Sequence, residues 1–243
     1  MKPFLILFSL LFLCTIASAK KPVRQYVRIT TNKGECIALL YNSTPLHRDN
    51  FIRLVKKHQL DGTLFHRVIS AFMIQGGDPD SKTAVPGQKL GDGDLGYTVA
   101  AEFRDSLFHK KGALAAAHDD NPQNASSASQ FYLVQGKVFT DEELGRLETG
   151  RLKGRKIPVS QRAVYKTIGG SPHLDQRYTV FGEIVKGLEL VDNIAALETD
   201  LNNPPMLDVS MTVTLLKNKE IKQLEKELMQ DQLKSRLIMQ QVQ

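Results

Sequence analysis

A mainly β chain folded as a closed antiparallel barrel is what this sequence predicts, on three observations. Short apolar segments of strand length recur along it, separated by glycines and polar turns. Only a few helical stretches interrupt them, too few for alternating βαβ units. Two regions, 137–170 and 217–243, fall outside that rhythm, being rich in charged and amide side chains. No internal repeat competes with this reading.

The elements follow in order. Residues 26–31 alternate, Asn32, Lys33 and Gly34 supply turn chemistry, and an apolar run resumes over 35–41, which predicts a β-hairpin. Thr44 and Pro45 read as N-cap and first helical position. Phe51, Leu54, Val55 and His58 then recur at helical spacing, so one helix face is buried, and the helix should stop near Asp61 and Gly62. Strand-like segments follow at 64–69, 72–76, 98–103, 112–117, 130–134, 178–185 and 209–216. Within 137–170, Thr140 and Glu143 form a capping-box pattern and 160–168 a second short helix ending at Gly169, which together read as a helical insertion in a loop. Over 217–243, Ile221, Leu224, Leu228, Leu233 and Leu237 predict a partly solvated C-terminal helical tail. Steps of four and five there break a strict heptad and argue against a coiled coil.

Composition excludes several classes. With 243 residues, 42% of them hydrophobic and 24% charged, the chain is ordinary globular chemistry. Lys and Arg exceed Asp and Glu by six but are spread along the chain, so no nucleic-acid partner is expected. Lys2, an apolar run over 4–13 too short to span a bilayer, and the small residues Ala17, Ser18 and Ala19 predict a cleaved signal peptide over 1–19. The expected address is therefore the periplasm, with the mature domain over 20–216. A lipid anchor at Cys14 is disfavoured by the bulky Phe12 and Leu13. Cleavage would leave Cys36 as the one thiol, in an apolar strand where it should be buried and inert. No metal or cofactor is expected. The Asp78/Asp80 and Asp92/Asp94 pairs lack regular calcium-ligand spacing, and Gly76-Gly77-Asp78 lacks the lysine of a phosphate loop.

The motifs that carry chemistry are Phe65-His66-Arg67, then 72–78 (FMIQGGD), Ala115-Ala116-Ala117, 129–132 (SQFY), Leu174-Asp175 and Val180-Phe181-Gly182. They hold one guanidinium, side-chain amides and many apolar or aromatic groups, with no nucleophile–base pair and no carboxylate pair. Such a set suits a reaction that breaks no covalent bond. In these motifs and their order the sequence resembles the cyclophilins, peptidyl-prolyl cis–trans isomerases, over roughly residues 24–216 apart from the insertion.

The resemblance implies an eight-stranded antiparallel barrel capped by two helices, with the active groove on its outer face. It assigns the catalytic guanidinium to Arg67, with Gln75 orienting it. Phe72, Met73, Tyr132 and Leu174 would line the proline pocket, while His66, Ile69, Ala117 and Gln130 belong to the groove. His66 has a structural alternative, holding its strand through a ring hydrogen bond. The departures are His118 where many members have Asn, Tyr178 at the groove histidine, and His173 where eukaryotic members have Trp. The implied partner is a proline-containing polypeptide, met by a monomer with no membrane span. A proline-binding chaperone with little turnover is the competing reading, against which Arg67 and Gln75 argue.

Overall fold

The computed structural model describes residues 23–85, 87–200 and 204–241. The signal-peptide expectation, with Cys14, lies outside the described residues.

The hairpin is β1 (Gln25–Thr31) and β2 (Gly34–Leu40), in register from Gln25 opposite Leu40 to Thr31 opposite Gly34. Its two-residue turn closes because Gly34 takes φ +126°, a conformation that strains any side chain. Next come α1 (Pro45–Lys56), β3 (Phe65–Ile69) and β4 (Met73–Gly76). A single 3-10 turn, Pro79–Thr83, leads into a long loop. The short pair β5 (Thr98–Val99) and β7 (Ser126–Ser127) brackets β6 (Ala113–Ala116), and β8 (Phe131–Val134) follows. The insertion holds α2 (Asp141–Thr149) and α3 (Val159–Thr167). The chain ends with β9 (Val180–Lys186), α4 (Glu189–Ala195), β10 (Met211–Leu215) and α5 (Asn218–Gln241).

Eight strands form one antiparallel sheet in the order β10-β1-β2-β9-β6-β8-β4-β3. It curls until its edges meet, but a closed barrel overstates the result. The edge strands share one bridge, Leu64 with Ser210, flanked by Phe65 N–H to Val209 C=O (2.9 Å) and Met211 N–H to Thr63 C=O (3.0 Å). The register shift between Phe65 and Arg67 bends β3 away from β10 beyond that stitch.

Period-two alternation divides the side chains. Ile74, Leu114, Ala116, Phe131 and Leu133 face the inner core, closed at its ends by Phe51, Leu54 and Val55 of α1 and by Leu190, Val191 and Ile194 of α4. Met73, Ala113, Ala115, Tyr132 and Val134 face outward, where they form a second apolar cluster with Leu174 and Val180. The inner face stabilises the fold and the outer face carries the groove.

Three local expectations are corrected. The 98–103 segment is not a barrel strand; only Thr98 and Val99 pair, with Ser126 and Ser127 in a separate ribbon. Helix α1 ends at Lys56, and His58 turns to φ +55° with its ring exposed beside Asp61. Thr44 occupies the N-cap position without a side-chain cap bond. The cap comes instead from Glu102, whose carboxylate accepts from Leu46 N–H (3.2 Å) and His47 N–H (3.0 Å). His109 is buried at 1% exposure.

The Thr140–Glu143 capping box forms reciprocally at the start of α2. In α5, Leu224 is buried with Ile221 and Leu228 beside it against Tyr26, Ile37 and Leu216, whereas Leu233 and Leu237 are exposed. Cys36 is buried, and burial, reinforced by Glu189 and Glu35, pushes its thiol up to about 12.

Candidate active site

The sheet register lines up the groove. Arg67 on β3 pairs across to Gln75 on β4, Gln75 to Tyr132 on β8, and Tyr132 to Ala115 on β6. Cross-strand partners share a face, so guanidinium, amide and phenol form one row on the outer surface.

A small cavity of about 100 Å³ sits on that row. Met73, Tyr132, Leu174 and Phe72 supply its apolar walls, and Ala117, His118 and Tyr178 one flank. Arg67 and Gln75 stand beside it. Met73 and Tyr132 are fixed by strand alternation, whereas Leu174 arrives from the 3-10 turn Pro172–Leu174.

Arg67 is exposed and is positioned by a train of side-chain amides. The Gln130 amide donates to the carbonyls of Gly91 (2.9 Å) and Gly93 (2.8 Å). Its oxygen must then face Gln75, whose amide donates to it at 3.0 Å. That in turn points the Gln75 oxygen at the Arg67 guanidinium, 3.5 Å away. The last link is long, so Arg67 is guided rather than clamped and keeps donors free for another acceptor.

The remaining predicted residues scatter around the pocket. Gln130 lies behind Gln75 as described. Ile69 and His173 line a neighbouring, larger cavity. The His173 ring stacks on Phe72 with centroids 5.3 Å apart, and burial lowers its pKa to about 4, so it is a neutral wall. His118 stacks on Tyr178 at 4.1 Å and its Nε2–H donates to the Arg177 carbonyl at 2.8 Å. His66 lies away from the pocket. Its ring is buried beside Gly91, its nitrogens meet no partner with good hydrogen-bond geometry among the described residues, and burial holds it below the usual imidazole pKa.

Two residues that sequence reasoning left without a role stand behind the pocket wall. The Tyr132 hydroxyl, unexpected in an apolar pocket, meets His109 Nε2 at 2.9 Å. His109 Nδ1–H donates to Asp175 at 2.8 Å, and Asp175 also accepts from the His109 backbone N–H (2.9 Å) and the Tyr165 hydroxyl (2.7 Å). Burial raises the Tyr132 pKa well above its ordinary value, so the phenol stays protonated. The Leu174-Asp175 dipeptide thus points one side chain into the pocket and the other into its support. The only signal in the sequence was that pairing of an apolar with an acidic residue.

Comparison with known proteins agrees with this geometry. A family model described as cyclophilin type peptidyl-prolyl cis-trans isomerase/CLD matches residues 26–215. A Streptococcus pyogenes protein named for a phosphatase and a peptidyl-prolyl cis-trans isomerase is 37% identical over 188 residues, covering 75% of this chain. This chain spans only 37% of that protein's length. A Staphylococcus aureus protein named for the isomerase alone is 36% identical over 180 residues, covering 74% of this chain and 85% of the relative. The chain belongs to the cyclophilin-type peptidyl-prolyl cis–trans isomerases. Its fold is similar to the crystal structure of a Cryptosporidium parvum cyclophilin, with a TM-score of 0.58 and 22% identity over 81% of this chain and 99% of that one. It is thus an enzyme that acts on proline-containing polypeptides, and no described helix is long and apolar enough to cross a membrane.

Proposed function

We propose that this isomerase works by non-covalent transition-state stabilisation at Arg67, as an exported monomer that assists the folding of other exported proteins. The observation that carries the mechanism is one juxtaposition: an exposed guanidinium beside a small pocket with apolar walls, of proline size.

Rotation about an Xaa–Pro bond must break amide conjugation, a barrier of roughly 18–20 kcal/mol. Twisting makes the prolyl nitrogen pyramidal and basic, able to accept a hydrogen bond it could not accept when planar. Arg67 donates there, and because that bond exists mainly in the transition state it raises turnover rather than ground-state affinity. Phe72, Met73, Tyr132 and Leu174 grip the ring and exclude water from the amide. About 10³ turnovers per second correspond to a barrier near 13 kcal/mol. The two effects together then supply on the order of 5–7 kcal/mol. Gln75 and Gln130 are positioning residues, acting through Arg67. Chelation should leave activity unchanged, since rotation needs no metal.

Export rests on the order of charge, apolar run and small residues over 1–19, and the absence of a nucleic-acid partner on the dispersed charge. Arg67→Ala should lower the isomerisation rate on an Xaa-Pro peptide at least tenfold, about 1.4 kcal/mol, with its thermal melt unchanged. Unchanged turnover would overturn the mechanism. N-terminal sequencing of protein from the periplasmic fraction should begin at Lys20; a lipid-modified Cys14 would place the same groove on a membrane.

A further inference from the structure

Beside the proline pocket lies a larger cavity, about 680 Å³, between the insertion and the outer face of the sheet. That volume is in the range of dedicated ligand sites. Phe72 lines both cavities, so the two are adjacent and share one aromatic wall. The floor of the larger is apolar, from Ile69, Phe72, Phe139 and Leu147, and the neutral ring of His173 closes one side.

Its rim is cationic, with Lys137, Arg146 and Arg151 against a single acid, Glu143. Glu143 is already committed: it takes Lys137 Nζ at 2.7 Å and caps α2 by accepting from Thr140 N–H at 2.9 Å. Lys137 is thereby neutralised. Arg146 and Arg151 are exposed; Arg146 acts on Glu142 and Glu143 at longer range, lowering both carboxyls, and neither arginine has a carboxylate within ion-pair distance among the described residues. Two guanidiniums without a direct ion pair, over an apolar floor, match a carboxylate on an apolar chain, because the planar fork of arginine fits a carboxylate's two oxygens.

The wall that carries them is firmly mounted. Leu144 and Leu152 pack on Tyr165, and the Tyr165 hydroxyl reaches Asp175 behind the proline pocket. Gly170 bridges to both Lys110 and Lys137, at φ +154°, where a Cβ would lie 2.2 Å from the His109 carbonyl. The insertion therefore presents a fixed surface to the groove.

We propose that this cavity is a second subsite for the substrate polypeptide, which takes a carboxylate-bearing residue within about three positions of the proline. Each extended residue advances the chain by roughly 3.3–3.6 Å, so a segment leaving the proline pocket past Phe72 enters the cavity within that span. The inference rests on the proline pocket being the isomerising site, and it adds a sequence preference to that site.

The test uses a panel of proline peptides carrying Glu or Lys at each of the three positions on either side of the Xaa–Pro bond. Isomerisation is read by NMR exchange, which needs no coupling protease, and affinity by fluorescence anisotropy on the same peptides. In at least one register the Glu peptide should exceed its Lys counterpart at least fivefold in both rate and affinity. The Arg146→Glu/Arg151→Glu protein, its fold checked by circular dichroism, should lose or invert that ratio, and 0.5 M salt should shrink it in the wild type. Equal rates and affinities for Glu and Lys peptides at every position would overturn the subsite while leaving the isomerase reading intact. Peptides that bind without being turned over would instead overturn the catalytic reading, and the anisotropy ranking would still decide the subsite. A Glu preference that survives the double reversal would place the recognition elsewhere and overturn it as well.

Discussion

Two buried chains of carboxylate, imidazole and hydroxyl run through this molecule, nearly identical in chemistry and different in consequence. In one, Glu102 takes His47 Nδ1–H at 2.8 Å and His47 Nε2 meets the Ser126 hydroxyl at 3.0 Å. In the other, Asp175 takes His109 Nδ1–H at 2.8 Å and His109 Nε2 meets the Tyr132 hydroxyl at 2.9 Å. The first begins at the N-terminus of α1 and ends on β7, at a serine with no exposure. It fastens a helix and a loop to the β5–β7 ribbon. The second begins beside the 3-10 turn that delivers Leu174 and ends on the wall of the pocket proposed to take proline. A triad's chemistry alone does not assign its role; where the terminal hydroxyl emerges does.

The comparison breaks most visibly at Glu102. Glu102→Ala strips the acceptor from the His47 ring and from two backbone N–H groups, so stability should fall by about 3–5 kcal/mol in urea unfolding. The isomerisation rate per folded molecule should not change, because none of those groups borders the groove. A loss of rate in the fraction that remains folded would show that α1 and the pocket are coupled.

Removing the terminal hydroxyls sharpens the contrast at smaller cost. Ser126→Ala and Tyr132→Phe each leave one buried imidazole nitrogen unpaired, and each should cost about 1–2 kcal/mol of stability. Only Tyr132→Phe should also reduce kcat/KM, by about threefold, roughly 0.65 kcal/mol, as the ring loses its anchor. Tyr165→Phe, acting one step further back through Asp175, should weaken the same readout less. Equal kinetics for both hydroxyl variants would remove the functional distinction between the chains.

The smallest expected effect is on pH dependence. Burial holds His47 below the ordinary imidazole pKa even though Glu102 opposes the shift. In the unfolded chain His47 titrates near 6.5, so as pH falls the unfolded state takes up this proton first. The stability it contributes is complete above about pH 6.5 and is lost as pH falls towards the lower folded pKa. His66 and His173, lowered chiefly by burial too, act in the same direction, the latter down to about 4. The thermal midpoint should therefore decline between pH 7 and 5, and His47→Gln should flatten that decline. A midpoint that rises over this range would contradict the burial of neutral imidazoles.

What could be read from the chain alone was what adjacent residues fix. Alternation over 26–31 with a glycine turn gives β1 and β2, since both period and turn chemistry are local. Phe51, Leu54 and Val55 at helical spacing give the buried face of α1, and Thr140 with Glu143 give the cap of α2. The groove was legible for a similar reason: Arg67, Gln75 and Tyr132 lie in short, specific motifs, and nine of the proposed residues meet at the pocket. The tertiary structure decided whatever depends on partners far apart in sequence. Glu102 caps a helix 55 residues earlier, so the capless Thr44 gave no warning. His109 sits 66 residues from Asp175 and looked like any lone histidine until the fold buried them together. The 98–103 segment had the composition of a strand, yet only Thr98 and Val99 pair, with Ser127 and Ser126, and strand pairing is a property of neighbours. The cavity beside the pocket belongs to this last class. Its floor joins Ile69 and Phe72 to Phe139 and Leu147 of an insertion some seventy positions later, which also supplies the charged rim, and Gly170 allows an approach to the His109 carbonyl that a Cβ would block.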